Sequence, residues 1–92
     1  MIKVNEYFDG KVKSLEKEYG GERFSVGLLD PGQYRIPTEY EEHITPIKGK
    51  GWIKLPGEDW TQLNLNQKVV VPPKVEFEFS IEEPLVYLCI YQ

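Results

Sequence analysis

Glu41, Glu42 and His43 stand side by side in a stretch that opens on the turn residues Pro31-Gly32 and closes on Gly49. A histidine beside carboxylates has the parts of a general base or of a metal ligand. His43 is the only histidine, however, and metal sites use several N, S or O donors, so a rim histidine paired with a carboxylate is the expectation. Neighbouring residues of a strand point to opposite faces, so at most one of Glu41 and Glu42 can enter a pocket. Glu41 is expected on a solvated face. Cys89 sits inside the apolar run LVYLCIY, which favours core packing over nucleophilic chemistry. Arg23 opens the strand-like run RFSVGLL and is placed to offer a forked donor to an anion. The remaining basic residues are dispersed. No glycine-rich phosphate loop, HExxH, CxxC or GxSxG motif is present.

The elements that must position these residues read as strands. VEFEFSI at 75–81 alternates apolar and polar residues, the pattern of a half-buried strand. LVYLCIY at 85–91 is apolar on both faces and is expected to be covered on both. RFSVGLL at 23–29 and KVVV at 68–71 are further strands. GWIKL at 51–55, following glycines, reads as the second arm of a hairpin, and KSLEKEY at 13–19 as strand running into loop. Pro31-Gly32 and Pro56-Gly57 are turn dipeptides, because Pro presets φ and Gly supplies positive φ. Many short strands separated by such turns predict an all-β jelly roll or small barrel.

Composition bounds the rest. Ninety-two residues, 40% of them hydrophobic, are expected to form one domain over 1–92. Fifteen acidic residues against 11 basic argue against nucleic acid as the main partner. A single cysteine and an amino end without an apolar signal segment point to the cytoplasm. No apolar run is long enough to cross a membrane as a helix.

A resemblance then adds what pattern alone does not. NEYFDGKVKS at 5–14 resembles the opening of the small bacterial pyrimidine/purine nucleoside phosphorylases, single-domain cupins. The similarity continues through Arg23, SVG at 25–27, Gly32, Tyr34, Thr38, Glu42, Gly49, Trp60, Pro72, Glu76-Phe77 and the closing YLCxY. It implies a cupin β-barrel, a homodimer, and phosphorolysis of purine and pyrimidine nucleosides by inorganic phosphate. Within the cupin pattern, the six residues between Glu42 and Gly49 fix the register. The four metal-ligand positions then fall on Ile36, Thr38, Glu42 and Phe77, a set that implies no metal and no other cofactor. His43 is one residue out of register.

The resemblance also implies roles. Glu42 and Thr38 are expected to act on the sugar or phosphate, and Arg23 to hold phosphate. Tyr34 and Phe77 are expected to form an apolar wall, with Tyr87 and Tyr91 lining the same cavity. The chain departs from the family pattern at His43, Pro73 and Glu78 and in the charged segment LEKEYGGE. The alternative to an enzyme is a binding module, a metal-free cupin that holds a sugar or nucleoside without turnover. A metal-dependent cupin oxygenase or isomerase would need ligands that the chain lacks.

Overall fold

The structure, a computed structural model, describes residues 1–92. Eight strands follow one another: β1 (Lys3–Tyr7), β2 (Val12–Tyr19), β3 (Glu22–Leu29), β4 (Gly32–Pro37), β5 (Glu42–Lys54), β6 (Thr61–Gln62), β7 (Val69–Val71) and β8 (Glu76–Tyr91). All pairings are antiparallel, and the main order is β1-β2-β3-β8-β5-β6, with β4 against β8 and β7 against β5. This is the all-β jelly-roll architecture of a cupin.

β5 and β8 are the spine of the barrel. The first half of β5 pairs the last third of β8, from Glu42 opposite Tyr91 to Pro46 opposite Tyr87. The second half of β5 pairs the start of β8, from Gly51 opposite Ile81 to Lys54 opposite Glu78. The start of β8 also carries β4, and its end carries β3, so the two long strands pass from one sheet to the other. The crossing is made by register shifts between Pro46 and Gly51. Gly49 lies there at φ +106°, and a Cβ on it would sit 2.1 Å from the Pro84 carbonyl oxygen, so only glycine fits.

Three sequence expectations change here. Residues 51–55 are not the second arm of a hairpin: the glycines around position 50 make a bulge inside one 13-residue strand. VEFEFSI and LVYLCIY are likewise one strand of 16 residues, since Pro84 falls at the irregular crossing, where no ladder bond is required of it. The KSLEKEY segment is strand throughout, closed by the two-residue turn Gly20-Gly21 onto β3.

Leu29, Ile53, Val71, Ile81 and Leu85 belong to one buried core cluster with Ile44, Phe77, Phe79 and Cys89. The convex side of the sheet carries apolar rows flanked by Lys13, Lys17, His43, Thr45 and Lys48. Leu15, Val26 and Leu88 lie in one row across β2, β3 and β8. Leu28 and Val86 form a second row, and Phe24, Ile90 and Val70 belong to a third. Leu15, Val26, Leu28 and Val70 are exposed.

Candidate functional site

The concave side of the same strands encloses a cavity of about 550 Å³. Its floor follows from the ladder. Glu42, Tyr91 and Arg23 are paired in sequence across β5, β8 and β3 and share one inward row. Ile44, Cys89 and Ser25 form the next row, and Pro46, Tyr87 and Gly27 the one after. Gly27 is a seat for Tyr87: a Cβ there would lie 2.4 Å from the ring. β2 adds Val12, Ser14 and Glu16 to the lining, and Ile36, Phe77 and Phe79 close the opposite wall. Phe77 and Phe79 meet edge to face with ring centroids 5.1 Å apart.

One end of the cavity is charged. Arg23 Nε donates to Glu16 Oε2 at 2.7 Å, and the guanidinium lies over the rings of Tyr91 and Tyr40 at 4.6 and 5.1 Å from their centroids. Tyr91 Oη and Ser25 Oγ share a hydrogen bond of 3.0 Å. Glu42 Oε1 accepts from the Cys89 thiol at 3.6 Å. Burial pushes the Glu42 carboxyl above its usual range; the thiol hydrogen bond and the charge of Arg23 oppose that shift. Burial also raises the phenols of Tyr87 and Tyr91 and the Cys89 thiol, the last further raised by the Glu42 charge, so all three stay protonated at neutral pH. The hydrogen bond from Arg23 holds Glu16 below the usual carboxylate range, against its own burial.

The other end is aromatic. Phe8, Asp9 and Gly10 make a tight turn with φ of 53°, 56° and 86°, three successive left-handed residues. The turn sets Phe8 at the mouth, edge-on to Tyr34 at 5.1 Å. Tyr7 and Tyr87 line the same end.

Five residues expected at the site from the sequence line this cavity: Glu42, Arg23, Phe77, Tyr87 and Tyr91. Two do not. Thr38 lies beyond the end of β4, where strand alternation no longer aims its side chain. Its Oγ1 donates to the Pro72 carbonyl at 2.8 Å and accepts from the Val75 amide at 3.0 Å, tying the β4 exit to the segment between β7 and β8. Tyr34 stands behind Phe8, its Oη donating to the Asp30 carbonyl at 2.6 Å. His43 faces outward, with Nε2 2.8 Å from Glu41 Oε2. Sequence reasoning missed Glu16, Tyr40 and Phe8.

The cupin fold raises the question of a metal, and the donor set answers it. Ile36 and Phe77 offer no donor atoms, the Thr38 hydroxyl is committed elsewhere, and Glu42 is the one carboxylate left. No group of three histidine, cysteine, aspartate or glutamate side chains converges anywhere in the chain. These residues do not fit a transition-metal ion.

Ladder, crossing and cavity define a small cupin whose pocket pairs a cation with a carboxylate. The family profile of the pyrimidine/purine nucleoside phosphorylases matches residues 2–91, and the chain belongs to that enzyme family. It is 40% identical over 92 residues to the pyrimidine/purine nucleoside phosphorylase of Photobacterium profundum, with 99% of each chain covered. It is 44% identical over 93 residues to that of Pectobacterium carotovorum, again with 99% of each covered. A crystal structure of a Vibrio parahaemolyticus protein of unknown function superposes with a TM-score of 0.94 at 38% identity, covering 100% of this chain and 99% of that one. A cupin-2 domain from Rhodospirillum rubrum shares the fold at a TM-score of 0.78 and 16% identity, covering 99% of this chain and 69% of that one.

Proposed function

We propose that this chain phosphorolyses purine and pyrimidine nucleosides, without a metal, to free base and pentose 1-phosphate. The observation that carries the reading is the inward row Glu42–Tyr91–Arg23, which puts a carboxylate and a guanidinium in one cavity. Arg23 binds inorganic phosphate through charge-assisted hydrogen bonds. A phosphate oxygen attacks C1′ of the sugar, and the C1′–N bond breaks with its electron pair leaving on the base. The base takes up the proton that the phosphate gives up. The sugar passes through an oxocarbenium-like state, which the Glu42 carboxylate stabilises while accepting from ribose hydroxyls.

The base occupies the aromatic end. Arg23 and Gly27 are four residues apart on β3, ~13 Å of strand, which leaves room for a sugar between phosphate and base. Phe8, Tyr7 and Tyr87 line that end, so the lining there is aromatic, and no amide or charged side chain from the same turn lines the cavity to read a base edge. Stacking tolerates every base, which favours a broad specificity. Because His43 faces away from the cavity, its departure from the family pattern does not alter the pocket. The apolar residues at the centre of the convex face favour a homodimer in which each copy offers Val26, Leu28 and Leu88 to the other about a two-fold axis. A free cysteine and a net charge of −4 favour a cytoplasmic enzyme with nucleosides and phosphate, not nucleic acid, as partners.

Base release from inosine and from uridine, followed with and without phosphate and with and without EDTA, tests the reading. Release that requires phosphate and is indifferent to EDTA is expected. Release without phosphate would make the chain a hydrolase. No release from either nucleoside would make it a binding module.

A further inference from the structure

Arg23 is held by one edge only. Glu16 accepts from Nε at 2.7 Å, and the Tyr91 and Tyr40 rings fix the plane of the guanidinium. Glu16 is itself held: Asn5 Nδ2 donates to its Oε1 at 3.3 Å and to Ser14 Oγ at 3.3 Å. The register places the chain of contacts side by side, since Asn5 pairs with Ser14 and Glu16 with Ser25, two residues from Arg23 on the same face. Neither terminal NH₂ group of Arg23 has a protein partner, and the side chain lines the cavity. A free arginine side chain loses much rotamer freedom when it grips an anion, and a pinned one has lost it already.

We propose that Glu16 is a positioning residue: it pins Arg23 by the Nε edge so that both terminal NH₂ groups face the cavity as a fork for phosphate. The proposal rests on the reading of Arg23 as the phosphate ligand. It assigns Glu16 no contact with phosphate, since two anions would repel. Glu16 therefore acts in two opposed senses. Its hydrogen bond orients the fork, and its charge weakens the fork's hold on a dianion. The glutamine variant separates them, because an amide oxygen accepts from Nε without the charge.

The test is calorimetric titration of the full chain with inorganic phosphate, alongside initial rates of base release from inosine, for wild type, Glu16→Gln and Glu16→Ala. Glu16→Ala is expected to weaken phosphate binding by ~10-fold, with KM for inosine at saturating phosphate within about twofold of wild type. Glu16→Gln is expected to bind phosphate at least as tightly as wild type. Alanine binding phosphate like wild type, or glutamine binding it as weakly as alanine, overturns the proposal. Where the alanine variant unfolds at the assay temperature, Glu16→Ser takes its place under the same criteria. Wild type that binds phosphate without turnover removes the phosphorylase reading, and the alanine and glutamine titrations still decide the role of Glu16. Wild type that binds no phosphate overturns both.

Discussion

The curved sheet of β2, β3, β8 and the first half of β5 has two faces, and both mix apolar with polar residues. The concave face carries Glu16, Arg23, Glu42, Ser14 and Ser25; the convex face carries Leu15, Val26, Leu28, Leu88 and Ile90. The concave face keeps buried apolar residues such as Val12, Ile44 and Cys89 beside these charges, and the charges line the cavity. Its charges are tolerated because each is paired: Arg23 with Glu16, and Glu42 with the Cys89 thiol. The hydrophobic burial of the barrel comes from the core cluster of Leu29, Ile44, Ile53, Phe77, Phe79 and Leu85.

Four changes sharpen or break that contrast. Arg23→Ala removes the cation of the inward row, leaving Lys3 and Arg35 at the cavity, and kcat/KM for phosphate is expected to fall by ~10²–10³-fold, as for loss of a charge-stabilising donor. A fall under about threefold in steady-state assays would leave the concave face without its anion site. On the convex face, Val26→Glu with Leu28→Glu places two carboxylates where a copy would dock. Sedimentation is expected to show the single-chain mass at micromolar concentration, against twice that mass for wild type. A wild type that already sediments as one chain would strip the convex face of its proposed meaning.

Thr38→Val belongs to neither face. It deletes the hydroxyl that bonds Pro72 and Val75, and is expected to cost about 1–3 kcal/mol in urea melts. KM for inosine should stay as in wild type. A rise in KM with stability intact would bring Thr38 back to the site.

The smallest effect is a pH dependence. The folded state raises the Glu42 pKa, so the folded protein holds that proton more tightly than the unfolded chain. Its contribution favours folding below the ordinary carboxylate range and is lost as pH rises through the folded-state value. Glu42→Gln escapes that loss, so its Tm relative to wild type is expected to be higher at pH 8 than at pH 4. A difference that is flat with pH would mean that the concave face is as wet as the convex one.

The sequence made much of this legible, for identifiable reasons. The interval between Glu42 and Gly49 set the register of β5, and with it the inward aim of Glu42 and the outward aim of His43. Tyr87, Cys89 and Tyr91 fell on one face by simple alternation. The cupin ligand pattern puts Thr38 at the site, but β4 ends at Pro37 and the Thr38 hydroxyl turns to Pro72 and Val75 instead of the cavity. Tyr34 misled because its ring, though buried, is turned behind Phe8. Glu16 was hidden in a charged segment that reads as solvated. A signal for it existed: the two-residue Gly20-Gly21 turn fixes the β2–β3 register and places Glu16 diagonal to Arg23. Tyr40 precedes β5 in an irregular segment, and no periodicity aims such a side chain. The merging of 75–81 and 85–91 into one strand depends on a tertiary crossing that local pattern does not encode.

The spine formed by β5 and β8 has a further consequence, for the time course of folding. Its register joins Glu42 to Tyr91, and the neighbouring ladder joins Arg23 to that same Tyr91. Both contacts close long loops before any local reward is gained. A chain of this topology folds slowly for its size, on the order of milliseconds to seconds. The concave and convex faces are set by the same ladders, so neither is complete until these distant pairings close. Until then the charges of the concave face stay hydrated, and the apolar rows of the convex face are open to contacts with other chains.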